Sequence, residues 1–215
     1  MIDLVRRCYA FVRPMVVASS AVAWVSACGG GGEAGGDAAL VAGGGGVALA
    51  EPVAKLPFTL TATDGSPYRF VEETEGFVTL LFFGYTNCPD VCPVHMANLA
   101  AVLDRLPFEV ASAIKVVFVT TDPERDTPER IREWLDQFDP GFLGLTGTQE
   151  QVTDLQRAFR LAPALREERD DGGYLVSHAA HIMAFSPDDS AHVVFPFGTR
   201  QTDWMRELPR LVEAR

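Results

Sequence analysis

A run of strand-forming residues, Val78-Thr79-Leu80-Leu81-Phe82-Phe83, stops at Gly84 and turns through Tyr85-Thr86-Asn87. A helical pattern that carries Cys88 and Cys92 then opens. A run that is apolar almost throughout, rather than at alternate positions, marks a central strand buried on both faces. Cysteines spaced i and i+4 on a helical turn face the same side. At a helix start, the unpaired amides and the positive end of the backbone dipole favour thiolate over thiol. A strand that delivers two such thiolates suits either of two tasks, holding a soft metal ion or exchanging a disulfide. The stretch Phe82–Leu99 does not by itself choose between them.

The surrounding pattern predicts an α/β fold. Phe58–Phe70 alternates around Asp64-Gly65 and reads as a hairpin. Lys115–Thr120 is a second buried strand, followed by a helix capped by Thr127 with Pro128 at its first position and running to about Phe138. Phe142–Leu145 reads as a short strand and Thr148–Phe159 as a helix capped by Thr148. Tyr174–Val176, Ile182–Phe185 and His192–Phe195 read as strands, the last two joined at Pro187-Asp188-Asp189, and Thr202–Val212 closes as a helix. His95–Leu106 has helical spacing. Strands alternating with helices, then a hairpin and a final helix, give a central mixed sheet flanked by helices. The run Arg166–Asp171 (REERDD) reads as a solvated loop.

The N-terminal segment has a different character. Arg6, Arg7 and Arg13 precede an apolar stretch, Pro14–Ala27, too short for a comfortable transmembrane helix. Its end, Val25-Ser26-Ala27-Cys28-Gly29, resembles the bacterial lipoprotein processing box, which makes Cys28 the expected lipid attachment site and 1–28 a signal peptide. Residues 29–50 are rich in glycine and alanine and read as a flexible tether, with a single domain over 51–215. The domain is expected on the periplasmic face of a bacterial membrane. Of the four cysteines, Cys8 and Cys28 fall in the leader, so only Cys88 and Cys92 lie in the globular part. The net charge of -11 argues against nucleic acid as a partner.

Three blocks, FFGYTNCPDVCP, TTDPERDTP (Thr120–Pro128) and YLVSHAAHIMAFSPDD (Tyr174–Asp189), occur in the order and spacing of the Sco/SenC family, which this chain resembles over about residues 55–213. The resemblance implies a thioredoxin-like fold with an added N-terminal hairpin and an extra hairpin. It implies copper ligands at Cys88, Cys92 and His178, with Asp122 in the segment beside the site. The implied role is to bind copper as Cu(I), Cu(II) or both. Delivery would be to the copper-accepting subunit of cytochrome c oxidase, or to another copper chaperone. Two thiolates and an imidazole suit Cu(I), a soft ion of low coordination number. Structural zinc would call for a fourth protein ligand, and none is obvious. The alternative is an extracytoplasmic thiol–disulfide oxidoreductase, with Cys88 and Cys92 catalytic, that reduces the acceptor's cysteines. That role needs no imidazole, whereas a copper chaperone needs the imidazole and no substrate turnover.

Two departures from the family stand out: Ser177 replaces an acidic residue before the ligand histidine, and Asp189 stands where the turn commonly has glycine. His95, three residues past Cys92, reads as a partly exposed helix histidine, with a fourth or transient ligand as the alternative. His181 is expected to point away from the site and His192 to be solvated. Pro89 and Pro93 shape the turn, Tyr85 packs beside it, and Met96 and Met183 fill the core.

Overall fold

The computed structural model describes residues 45–214. The expected signal peptide, Cys28 and most of the tether lie outside the described residues. In chain order the elements are β1 (Val47–Ala54), β2 (Thr59–Ala62), β3 (Pro67–Arg69), α1 (Phe70–Glu73), β4 (Val78–Gly84), α2 (Val91–Leu103), α3 (Phe108–Ala111) and β5 (Ile114–Thr120). They continue with α4 (Pro128–Leu135), β6 (Leu143–Thr146), α5 (Gln149–Ala158), β7 (Leu165–Glu168), β8 (Tyr174–Ser177), β9 (Ile182–Phe185), β10 (Ser190–Phe195) and α6 (Gln201–Glu213).

Eight strands form one mixed sheet in the order β1-β10-β9-β4-β5-β6-β2-β3. The three strands β4, β5 and β6 run parallel, and the other pairings are antiparallel. Every residue of β4 is buried, as its continuous apolar run requires. Successive side chains of a strand face opposite sides, so Leu80 and Phe82 enter one core layer and Leu81 and Phe83 the other. The first layer holds Met96 and Leu99 of α2, Ile131 of α4, and Trp204 and Leu208 of α6. The second holds Phe70, Phe159 and Phe185, whose rings meet edge to face 5.8–6.4 Å apart, with Val152 and Leu155 of α5. Each such large side chain contributes about 1.5–3 kcal/mol on burial. The helix starts follow the sequence signals: Thr127 accepts from the Arg130 amide, and Thr148 forms a reciprocal capping box with Gln151.

Three features depart from expectation. Val47–Ala50, read as tether, belong to β1, which pairs with β10 at the sheet edge. An edge strand tolerates Pro52 because the register slips between Ala48 and Val53 there. Part of the REERDD loop is a strand, β7, which pairs only with β8 and stands off the main sheet as an exposed hairpin. Val176 of β8 packs into the first core layer, and Tyr174 is clasped between the guanidinium groups of Arg125 and Arg166, 3.5 and 3.6 Å from its ring centre. Finally, α2 begins at Val91, so Cys88 precedes the helix rather than riding on it.

Candidate metal centre

β4 ends at Gly84 on the rim of the sheet, and the chain turns over that rim before α2 begins. The turn is tied down from beneath by Asp126, which is fully buried. Its carboxylate accepts from the Thr86 amide (2.9 Å), the Thr86 hydroxyl (2.6 Å) and the Thr120 hydroxyl (2.6 Å). Arg130 of α4 closes over the outside, donating to Thr86 Oγ1 at 3.0 Å and Asn87 Oδ1 at 2.8 Å. A buried carboxylate with three donors is held against its own desolvation cost. This support was missed in the sequence. Its only signal was the polar block TTDPERDTP, whose Asp126-Thr127-Pro128 also reads as a plain helix start.

Cys88 sits half-buried in this turn, while Cys92, in the first turn of α2, has no exposed surface. A bend through Pro89 and Asp90, not helical stacking, brings the sulfurs together. The Cys92 amide points at Cys88 Sγ from 3.4 Å, so the helix start still favours a thiolate there. Gly84 makes room for the second sulfur: a Cβ at that position would lie 2.8 Å from Cys92 Sγ. Pro93 falls within the first helical turn, where an amide would have no partner in the helix.

His178 arrives on the loop between β8 and β9, with Nε2 3.4 Å from Cys92 Sγ. Its Nδ1 donates to the Ala179 carbonyl at 3.0 Å, which fixes the ring with Nε2 turned toward the sulfurs. The backbone thus supports the ring, while the Ser177 hydroxyl before it donates to Leu165 O at 3.4 Å across the β7–β8 hairpin. The rings of Phe82 and Tyr85 stand edge-on to His178, both 5.7 Å away, and wall the site with apolar surface. One ligand atom each from Cys88, Cys92 and His178 lies within 4.8 Å of the others.

The two thiols are not equivalent. Cys88 is held down to about 3, first by the hydrogen bond from Cys92 and against its own burial, then by His178 and the amides of Asp90 and Cys92. Cys92 is pushed up, chiefly by burial and then by hydrogen bonding to Cys88. The pair therefore carries one thiolate, on the sulfur nearer solvent, and its second proton stays on the buried sulfur. A metal ion that engages both sulfurs must release that proton.

The remaining sequence candidates are distributed around the site. Asp122 accepts from Tyr174 Oη at 2.9 Å and pairs with Arg125, bracing the hairpin base rather than joining the donor cluster. His95 is buried, not partly exposed, and its burial lowers the ring's pKa; it is not among the three clustered donors. His181 turns to the opposite side of the sheet and lines a cleft with Met183 and Leu49. His192 is exposed and pairs with Asp188 at 2.8 Å. Met96 and Met183 are core residues of opposite layers.

Two free cysteines and an imidazole gathered at one rim of the mixed sheet define a thioredoxin-like protein with a two-sulfur, one-imidazole centre. The chain belongs to the SCO1/SenC family, whose model matches residues 48–213. The mitochondrial SCO1 homolog 1 of Arabidopsis thaliana is 36% identical over 133 residues, 61% of this chain but 39% of that protein, so the match spans well under half of the relative's length. The crystal structure of Arabidopsis thaliana ScoI with copper bound superposes with a TM-score of 0.68 at 28% identity, covering 76% of this chain and 100% of that one. Bradyrhizobium japonicum ScoI with copper bound gives a TM-score of 0.65 at 32% identity over 74% of this chain and 99% of its own.

Proposed function

We propose that this protein is a copper metallochaperone. It binds one copper ion through Cys88, Cys92 and His178 and delivers it for assembly of the copper centre of cytochrome c oxidase. The observation that carries this reading is the convergence of the three donor atoms within 4.8 Å, with Nε2 of His178 turned toward the sulfurs. Two sulfurs and one imidazole are a soft set for a low-coordinate ion, and Cys88 is already a thiolate at neutral pH. The half-buried sulfur and the solvent-facing loop of His178 leave the ion open on one side, where an acceptor's ligands can displace the protein's own one at a time. The acceptor is the copper-accepting oxidase subunit or another copper chaperone. The lipoprotein box at Cys28 would hold the domain at the outer surface of a bacterial membrane. Among the described residues no helix is long and apolar enough to cross a membrane.

The asymmetry of the two thiols favours one second reading, an oxidoreductase that reduces the acceptor's cysteines. Cys88 would attack and Cys92 resolve the mixed disulfide. The readings separate on His178, which copper binding needs and thiol exchange does not. Titration of the reduced chain with copper, beside His178→Ala, tests this directly. The expected result is one copper per chain, with affinity in the variant lowered by more than about tenfold. Binding that ignores His178, or no tight binding, refutes the copper site and moves the question to the reduction potential of the Cys88–Cys92 pair.

A further inference from the structure

His95 lies one helical turn beyond Cys92, 3% exposed, with its ring between Phe82 (5.0 Å) and Phe197 (5.6 Å). Its Nε2 is 3.1 Å from the carbonyl oxygen of Ala180, two residues after His178. A carbonyl can only accept, so the ring proton sits on Nε2 and is donated to the loop. The ring of Phe82 borders both His95 and His178. The helix that carries Cys92 therefore also holds the loop that carries His178. The path Cys92, α2, His95, Ala180, His178 closes back on Cys92 through the 3.4 Å sulfur–nitrogen contact. In the loop 178–181, the only hydrogen bond from a His178 nitrogen to a backbone group is to its immediate neighbour Ala179. That contact orients the ring but cannot fix the loop against the helix. The His95 bond does, and it uses none of the three clustered donors.

We propose that His95 is a positioning residue: through Ala180 it clamps the loop 178–181 to α2 and so holds His178 Nε2 at the two sulfurs. The consequence for copper rests on the reading of Cys88, Cys92 and His178 as its ligands; the clamp itself does not. His95 acts on the site from outside it, and this separates it from a fourth ligand. A ligand must offer a lone pair to the metal, whereas the clamp needs only an N–H at this distance from the carbonyl. Glutamine can supply such a donor. Phenylalanine keeps the ring packing against Phe82 and Phe197 but leaves the Ala180 oxygen without its donor.

The test compares the full-length wild-type protein with His95→Gln and His95→Phe, using His95→Leu should the phenylalanine variant fail to fold. Hydrogen exchange of the backbone amides in 178–181 is read on the metal-free reduced protein, with global stability measured separately. Cu(I) affinity is read against a competing chelator. The apolar variant is expected to exchange faster through this loop at near-native global stability and to bind Cu(I) about tenfold more weakly, the weight of one anchoring hydrogen bond. His95→Gln is expected to stay near wild type in both. Unchanged exchange in the apolar variant, or a glutamine variant as impaired as the apolar one, overturns the proposal. A wild-type chain that fails to bind Cu(I) would refute the copper reading alone, because the exchange comparison needs no metal and still decides the clamp.

Discussion

The turn between β9 and β10 contains a conflict that a pair of substitutions should expose. Asp189 has a backbone φ of 58°, in the left-handed region where a side chain is strained and glycine is at ease. Its carboxylate lies 2.7 Å from Nζ of Lys55, whose side chain has no exposed surface and whose other contact is the Thr74 carbonyl at 3.2 Å. Asp189→Gly relieves the strain, about 0.5–1 kcal/mol for a residue type that tolerates this region better than most. It also leaves the buried ammonium facing a single neutral acceptor. Breaking a buried pair from one side costs about 3–5 kcal/mol. The carboxylate here is 42% exposed, so the pair is partly screened and about 2–3 kcal/mol is the better expectation. The net effect is a loss of about 1–2.5 kcal/mol. In a Lys55→Met background no ammonium is left to strand. The same Asp189→Gly change should then stabilise the protein by about 0.5–1 kcal/mol. Urea unfolding of the four reduced, metal-free proteins, followed by circular dichroism, measures both steps. The reversal of sign is the prediction. An equal shift in the two backgrounds would show that Lys55 does not depend on Asp189, and the reasoning would fail.

Two further outcomes follow from the site. Gly84→Ala places a Cβ 2.8 Å from Cys92 Sγ, 2.8 Å from Phe82 and 2.9 Å from Phe118. It should cost about 1–3 kcal/mol of stability and lower copper affinity by displacing that sulfur; native stability with native affinity would contradict the close-packing account. In the reduced metal-free protein, iodoacetamide should modify Cys88 at a rate nearly independent of pH from about 5 to about 8, because its thiol is held down to about 3. Cys92, buried and pushed up, should react far more slowly. A Cys88 rate that climbs about tenfold per pH unit through this range, as an ordinary thiol's does, would show that the turn does not stabilise its thiolate.

What could be read from the sequence divides along a physical line. Local and strongly patterned features were legible: the doubly buried β4 and β5, the caps at Thr127 and Thr148, and the hairpin around Asp64-Gly65. The nearness of Cys88 to Cys92 was legible too, although the bend at Pro89-Asp90, and not a helical turn, produces it. β1 was hidden because its small residues and Pro52 resemble a tether until β10 offers them an edge. β7 was hidden because its pattern is charged; it is held by pairing with β8, which is anchored by the buried Val176 and by the Arg125–Tyr174–Arg166 stack, contacts between residues distant in sequence.

The same line runs through the site itself. Nothing local to His178 marks it as the third donor, since 86 positions separate it from Cys92; only the resemblance to a family implied it. His95 shows the converse. Helical spacing put it on the face of Cys92 correctly, yet its burial could not follow from α2 alone. The surface that covers it is built from the loop 178–181 and Phe197, which reach it only after β9 and β10 have paired. Side chains whose role is to hold two distant segments together have periodicity as their only local signature. For them, periodicity gives the direction of a side chain, and the topology of the sheet decides what it meets. A histidine on the Cys92 face of α2 thus meets another histidine's loop because the antiparallel β9 brings that loop back over the helix start.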